Sequence, residues 1–136
     1  MIMIRTIFLA FVLLGSTVLM AQNSLEIEIT GLRNNKGQVS LELMNKDKET
    51  VKGVSKVIFD NKCIIKFDKL KEGEYAVRYF HDENLNRKLD KKFFFIPKEG
   101  YGFSNNAYSK FGPKDFKHWL FEVKGKKKIK LQPSYL

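Results

Sequence analysis

Leu70-Lys71-Glu72-Gly73-Glu74-Tyr75-Ala76-Val77-Arg78-Tyr79-Phe80 carries two signals at once. From Tyr75 onward, Tyr75, Val77 and Tyr79 fall on one face of a period-two strand, and Ala76, Arg78 and Phe80 on the other. Just ahead of them, Leu70-x-x-Gly73-x-Tyr75 has the spacing of a tyrosine corner. In such a corner the phenol ties back to the upstream backbone where a late strand of a Greek-key sandwich begins. Strand and corner together predict an all-β fold. The expectation is an antiparallel β-sandwich of about seven to eight strands, Ig-like or transthyretin-like in its Greek key.

The same alternation extends outward in both directions. Leu25, Ile27 and Ile29 alternate with Glu26, Glu28 and Thr30, and Val39, Leu41 and Leu43 alternate with Ser40 and Glu42. Asn34-Asn35-Lys36-Gly37 between them predicts a hairpin turn. Asn45 to Gly53 reads as a polar loop. Val57 and Phe59 then begin a strand that Asp60-Asn61 turns back into Cys63, Ile65 and Phe67. Beyond His81, the apolar run Phe93-Phe94-Phe95-Ile96 predicts a short strand buried on both faces. Pro97 to Pro113 is a long irregular segment, and such segments in small domains are often functional. Residues 114–119 suit one helical turn, and strands at Leu120–Val123 and Ile129–Leu131 close the chain around Gly125.

Met1 to Ala21 has one charge, Arg5, followed by an apolar stretch from Ile7 to Leu19. These are the parts of a signal peptide removed near Ala21, so residues 22–136 are expected as one exported domain, periplasmic or extracellular. After that segment no apolar run approaches the roughly 20 residues needed to span a bilayer, so no transmembrane segment is expected in the mature chain. The chain length of 136 residues excludes a two-domain enzyme. Cys63 is the single cysteine, so no internal disulfide can form, and its alternation with Ile65 and Phe67 points it into the core.

The formal net charge is +10, from 25 basic and 15 acidic residues. Only Arg5, Arg33, Arg78 and Arg87 are arginine, and a lysine-rich surface speaks for solvation more than for planar phosphate recognition. Lys124, Lys126, Lys127, Lys128 and Lys130 admit binding to a surface polysaccharide or anionic lipid, or simply form the wet face of a strand. Export makes nucleic acid an unexpected partner.

Two stretches hold the functional suspicion. In His81-Asp82-Glu83-Asn84-Leu85-Asn86-Arg87-Lys88-Leu89-Asp90, the side chains of Asp82, Asn84, Asn86 and Asp90 recur as in a calcium-type loop. The Lys88 backbone carbonyl completes the set, because hard Ca²⁺ takes six to eight oxygens. Arg87 stands where an EF-hand has its turn glycine, and Phe93 where it has its bidentate glutamate. The other reading is a connector whose Asn and Asp side chains satisfy their own turns. In Pro97 to Tyr108, Tyr101, Phe103, Asn105 and Asn106 are candidates for ligand contact, since rigid aromatics and adaptable amides make binding surfaces. They could equally plug one end of the sandwich.

The case for catalysis is thin. His81 and His118 are the only histidines, and neighbours on a strand point to opposite faces, so His81-Asp82 is no dyad by adjacency. A zinc site would need three or four His, Cys or carboxylate ligands at suitable spacing, and no such set occurs.

Gly31-Leu32, Gly37-Gln38-Val39, Gly73-Glu74-Tyr75-Ala76-Val77, His81-Asp82-Glu83-Asn84-Leu85-Asn86 with Leu89-Asp90, and Glu99-Gly100-Tyr101-Gly102-Phe103-Ser104-Asn105-Asn106-Ala107 stand in that order. In these motifs the chain resembles the bacterial domain-of-unknown-function family numbered 2141, from about Leu25 to Leu131. The resemblance implies export, a single sandwich-like domain and no established activity. The family usually shows glycine in the polar loop where this chain has Leu85 and Arg87. The overall expectation is an exported binding or accessory module with a Ca²⁺-type cation in the 81–90 loop. Its partner would be an envelope polysaccharide or another envelope protein, with a small hydrolase as the lesser alternative.

Overall fold

Apolar side chains at every second position need a common interior, and the strands supply one. The computed structural model describes residues 22–136, and the expected signal peptide, 1–21, lies outside them. The strands are β1 (Asn23–Ile29), β2 (Gln38–Asn45), β3 (Thr50–Val57), β4 (Cys63–Leu70) and β5 (Gly73–Asp82). Shorter ones follow: β6 (Lys91–Lys92), β7 (Ile96–Pro97), β8 (Tyr101–Phe103), β9 (Tyr108–Ser109), β10 (Gly112–Pro113), β11 (Phe121–Val123) and the longer β12 (Lys126–Leu131). Single 3₁₀ turns lie at Ser104–Asn106 and at Phe116–His118, the second where a helical turn was expected. The fold is all-β and sandwich-like, in agreement with the sequence.

One sheet has the order β12-β1-β4, with β1 parallel to β12 and antiparallel to β4. The larger sheet runs β11-β5-β2-β3. Along the edge of β5 away from β2, β11 pairs with Gly73–Tyr75 and β8 with Arg78–Phe80. Leu25, Ile27, Ile65, Val39, Leu43, Val77 and Val123 meet between the sheets with almost no exposure, in one cluster. Burying such a side chain contributes about 1.5–3 kcal/mol.

The expected corner is present: the Tyr75 hydroxyl donates to the Lys71 carbonyl at 2.6 Å, where the chain passes from β4 in one sheet to β5 in the other. Three local expectations need correction. β1 and β2 are not a hairpin, because both edges of β1 are taken by β4 and β12, and the chain crosses to the other sheet through Gly37 (φ 69°). Likewise β3 and β4 belong to different sheets, although Asp60 and Asn61 do turn the chain, with φ of 52° and 56°. The polar stretch 45–53 is partly strand, since Thr50 to Gly53 opens β3, a solvent-exposed sheet edge that needs no apolar pattern.

The largest correction concerns Phe93-Phe94-Phe95-Ile96. These residues are no buried strand. β6 and β7 form a two-residue ladder, and the three phenylalanines are its exposed tip. Phe93 and Phe94 take φ of 51° and 67°, which a continuous strand cannot accommodate.

Candidate functional site

The outer face of the larger sheet carries an open groove of about 590 Å³. Four strands build it, because outward positions of β2, β3, β5 and β8 come into register: Glu42 lies opposite Arg78, Ser40 opposite Phe80, and Arg78 opposite Phe103. Phe80, Tyr101 and Phe103 line it as an aromatic wall. Tyr101 and Phe103 meet edge to face at 6.0 Å, and Phe103 stacks on Trp119 at 4.2 Å. The polar part comprises the paired hydroxyls of Ser40 and Ser55, 3.2 Å apart, and the Glu42–Arg78 ion pair. Burial alone would raise the Glu42 carboxyl, but hydrogen bonds from Thr50 and Arg78, with the guanidinium charge, hold it below the ordinary range. The groove therefore joins flat aromatic surface to a fixed carboxylate and an arginine fork.

Of the four residues expected to contact a ligand, Tyr101 and Phe103 line this groove. Asn105 and Asn106 are occupied elsewhere. The Asn105 amide donates to the carbonyls of His118 (3.0 Å) and Leu120 (2.9 Å), and Asn106 Oδ1 accepts from the Gln132 amide (3.1 Å). Both residues hold left-handed φ, 58° and 48°, which asparagine tolerates. Beside them Ser104, fully buried, accepts the Val77 amide hydrogen and donates to the Trp119 carbonyl. The Ser104–Asn106 turn thus stitches β8 to the approach of β11.

In the 81–90 loop, Asp82 is fully buried and accepts from the backbone amides of Asn86 (3.2 Å) and Arg87 (2.9 Å). Asn84 and Asn86 turn their amide nitrogens onto Asp90, at 2.7 and 2.8 Å. Their oxygens accept from the amides of Asn86 and Lys88, so the Lys88 N–H takes part in the loop's own bonding. Leu85 and Arg87 adopt φ of 59° and 61°, the geometry for which glycine is the usual choice. As they stand, these bonds satisfy the loop internally. Among the described residues no group of three His, Cys, Asp or Glu is disposed to hold a metal.

The sequence reading missed Glu99 beneath this loop. It is buried and accepts from the amides of Glu83 (3.1 Å) and Asp90 (3.4 Å). Burial, with the negative charges of Asp90 and Asp82, raises its carboxyl above the usual range. Tyr135 was missed too, although a glycine opposite its ring marks it. A side chain at Gly100 would overlap that ring. The Tyr135 hydroxyl accepts from the Arg33 amide and lies 2.9 Å from His81 Nδ1.

His81 is wholly buried, with Nε2 2.7 Å from the Lys36 carbonyl, to which it must donate. Both its ring nitrogens are therefore engaged in structure, and His118 lies apart and exposed. Cys63 is buried as expected, and burial pushes its thiol up to about 11, the opposite of an activated nucleophile. Of the basic tail, Lys128 pairs with Glu26 and Glu28, Lys130 with Glu28, and Lys124 with Glu72. Much of its charge is thus answered within the sheet. No helix among the described residues is long and apolar enough to cross a membrane.

Fold and groove define a small all-β module with one accessible face of mixed aromatic and charged character. The family described as "Uncharacterized protein conserved in bacteria (DUF2141)" matches residues 27–130, and the chain belongs to it. No curated protein and no solved structure matches the chain.

Proposed function

We propose that the protein is an exported binding module that receives an envelope polysaccharide in the groove across β2, β3, β5 and β8. The observation that carries this reading is the side-by-side presentation of Phe80, Tyr101 and Phe103 with the Glu42–Arg78 pair in one open groove of ligand-binding size. A sugar ring offers an apolar C–H face, which lies on an aromatic ring, and hydroxyls, which bond to carboxylate and guanidinium. Trp119, the single tryptophan, stacks on Phe103 and so reports on the groove. Titration with oligosaccharides from bacterial envelope polysaccharides is expected to change its emission saturably. Arg78→Ala and Phe80→Ala should each abolish that change. A flat response to neutral and acidic oligosaccharides alike would overturn the reading.

A second reading, a Ca²⁺-type cation in the 81–90 loop, is favoured by one observation. Asp82, Asp90 and the buried Glu99 gather carboxyl groups around the loop, and burial, with the charges of Asp90 and Asp82 added to it, raises the Glu99 carboxyl. A cation would draw Asp90 away from the Asn84 and Asn86 amides and offset that charge. Millimolar Ca²⁺ should then raise the melting temperature of the wild type and leave Asp90→Asn unchanged. Identical melting of the wild type with and without Ca²⁺ would remove it.

A further inference from the structure

The two small hairpins present phenylalanines that nothing in the fold requires. Phe94 at the β6–β7 tip is 100% exposed and Phe111 at the β9–β10 tip 98%, with Phe93 at 74% and Phe95 at 73%. Single exposed hydrophobes are ordinary, but four aromatic rings at two tips are not. The turn itself would be better served by other residues. Phe93 and Phe94 occupy left-handed φ, where asparagine or glycine fits without steric cost. Folding alone therefore gives no reason for phenylalanine there.

The tips lie on the same side of the molecule. Phe95 and Phe111 line one cavity of about 600 Å³ together with Ile96, Leu136, Lys91 and Lys110. Lysines flank both tips: Lys91 and Lys92 immediately before Phe93, and Lys110 immediately before Phe111. The lysine ion pairs among the described residues involve Lys66, Lys124, Lys128 and Lys130, so no carboxylate partner is paired with these three. Exposed aromatic tips in a lysine collar suit a particular partner. Lysine is depleted at protein–protein interfaces, whereas its long stem and charged head suit the boundary between acyl chains and anionic headgroups.

We propose that the β6–β7 and β9–β10 hairpins are a membrane-docking surface, whose phenylalanines enter the headgroup boundary of an anionic phospholipid bilayer while Lys91, Lys92 and Lys110 bind its phosphates. The docking is peripheral, and the cavity between the tips adjoins the groove, sharing Leu89, Tyr101 and Phe103 with it. The lysine collar draws the tips to an anionic surface and the aromatic rings hold them at its boundary, a combination suited to reversible attachment.

The test reads the tip itself, in the full chain. Phe94→Trp places an indole at the fully exposed position, and vesicles carry brominated phosphatidylglycerol or brominated phosphatidylcholine, whose bromines quench an indole only at contact. Expected is quenching beyond that of the wild type, whose one indole is Trp119, in phosphatidylglycerol vesicles, weakened by salt. Adding Lys91→Glu, Lys92→Glu and Lys110→Glu should lower the apparent affinity about tenfold or more. No extra quenching in either vesicle overturns the proposal, even if the chain sediments with lipid through another segment. Equal quenching in both lipids overturns the anionic preference. A concentration-dependent blue shift of the new indole without vesicles, lost in Phe111→Ser, would assign the tips to a second copy of the chain instead.

Discussion

The hydroxyl of Ser104 lies 2.9 Å from the amide nitrogen of Val77 and takes its hydrogen, in the gap along β5 between its pairing with β8 and with β11. It passes its own hydrogen to the Trp119 carbonyl. One fully buried side chain therefore satisfies two backbone groups that neither neighbouring strand reaches. Ser104→Ala removes both bonds without adding bulk. Each buried group left unsatisfied costs about 1–3 kcal/mol, so the midpoint of denaturant unfolding should fall well beyond the effect of a surface change. An unchanged midpoint would mean that water fills the gap.

Gly100 and Tyr135 are matched to each other on the far side of β8, where the Gly100 carbonyl accepts from the His81 amide. A methyl group at Gly100 would collide with the Tyr135 ring, whose hydroxyl meets His81 and Arg33. Gly100→Ala should cost about 1–3 kcal/mol, as overpacking does. The origin of that cost is separable. In a Tyr135→Ala background the space is vacated, so the added methyl should then cost much less. Equal costs in both backgrounds, measured by urea unfolding, would place the strain elsewhere.

Periodicity carried the sequence reading far where the information is local. The Tyr75–Lys71 bond spans four residues, and the alternation of β1, β2, β4 and β5 reports which side chains face inward. Partner choice is another matter, because an alternating strand fits either sheet equally well. Hence β1 seemed to pair with β2 when β4 and β12 already hold both its edges. An apolar run likewise cannot tell a buried strand from an exposed tip, which is why Phe93–Ile96 misled. Of the groove, only Tyr101 and Phe103 stood out, as aromatics among glycines. Arg78, Phe80, Glu42 and Ser40 join them only through strand register. The amides of Asn105 and Asn106 offer the same chemistry to a ligand and to a backbone, and here they bond to the backbone.

The carboxylates and the thiol shape stability at opposite ends of the pH scale. Burial alone would raise Glu83, but hydrogen bonds from Asn34 and Arg33, with the Arg33 charge, hold it below its ordinary 4.5. Its contribution is present above that value and is lost as pH falls through the depressed folded pKa. Glu83→Gln should therefore flatten the acid limb of melting temperature against pH. Cys63 works in the other direction. Its thiol titrates near 9.0 in the open chain and at about 11 when buried, so between those values the folded state holds a proton that the unfolded state has released. Stability falls with rising pH across that window, by at most about 1.4 kcal/mol per pH unit from one group. Cys63→Ala leaves a smaller side chain and lowers stability at every pH, but it removes this proton. The decline from pH 9 to 11 should then be shallower than in the wild type, leaving the share of the tyrosines, Tyr75 and Tyr135 among them, whose phenols burial also raises. Parallel curves for wild type and variant would show that the thiol is not the group that titrates.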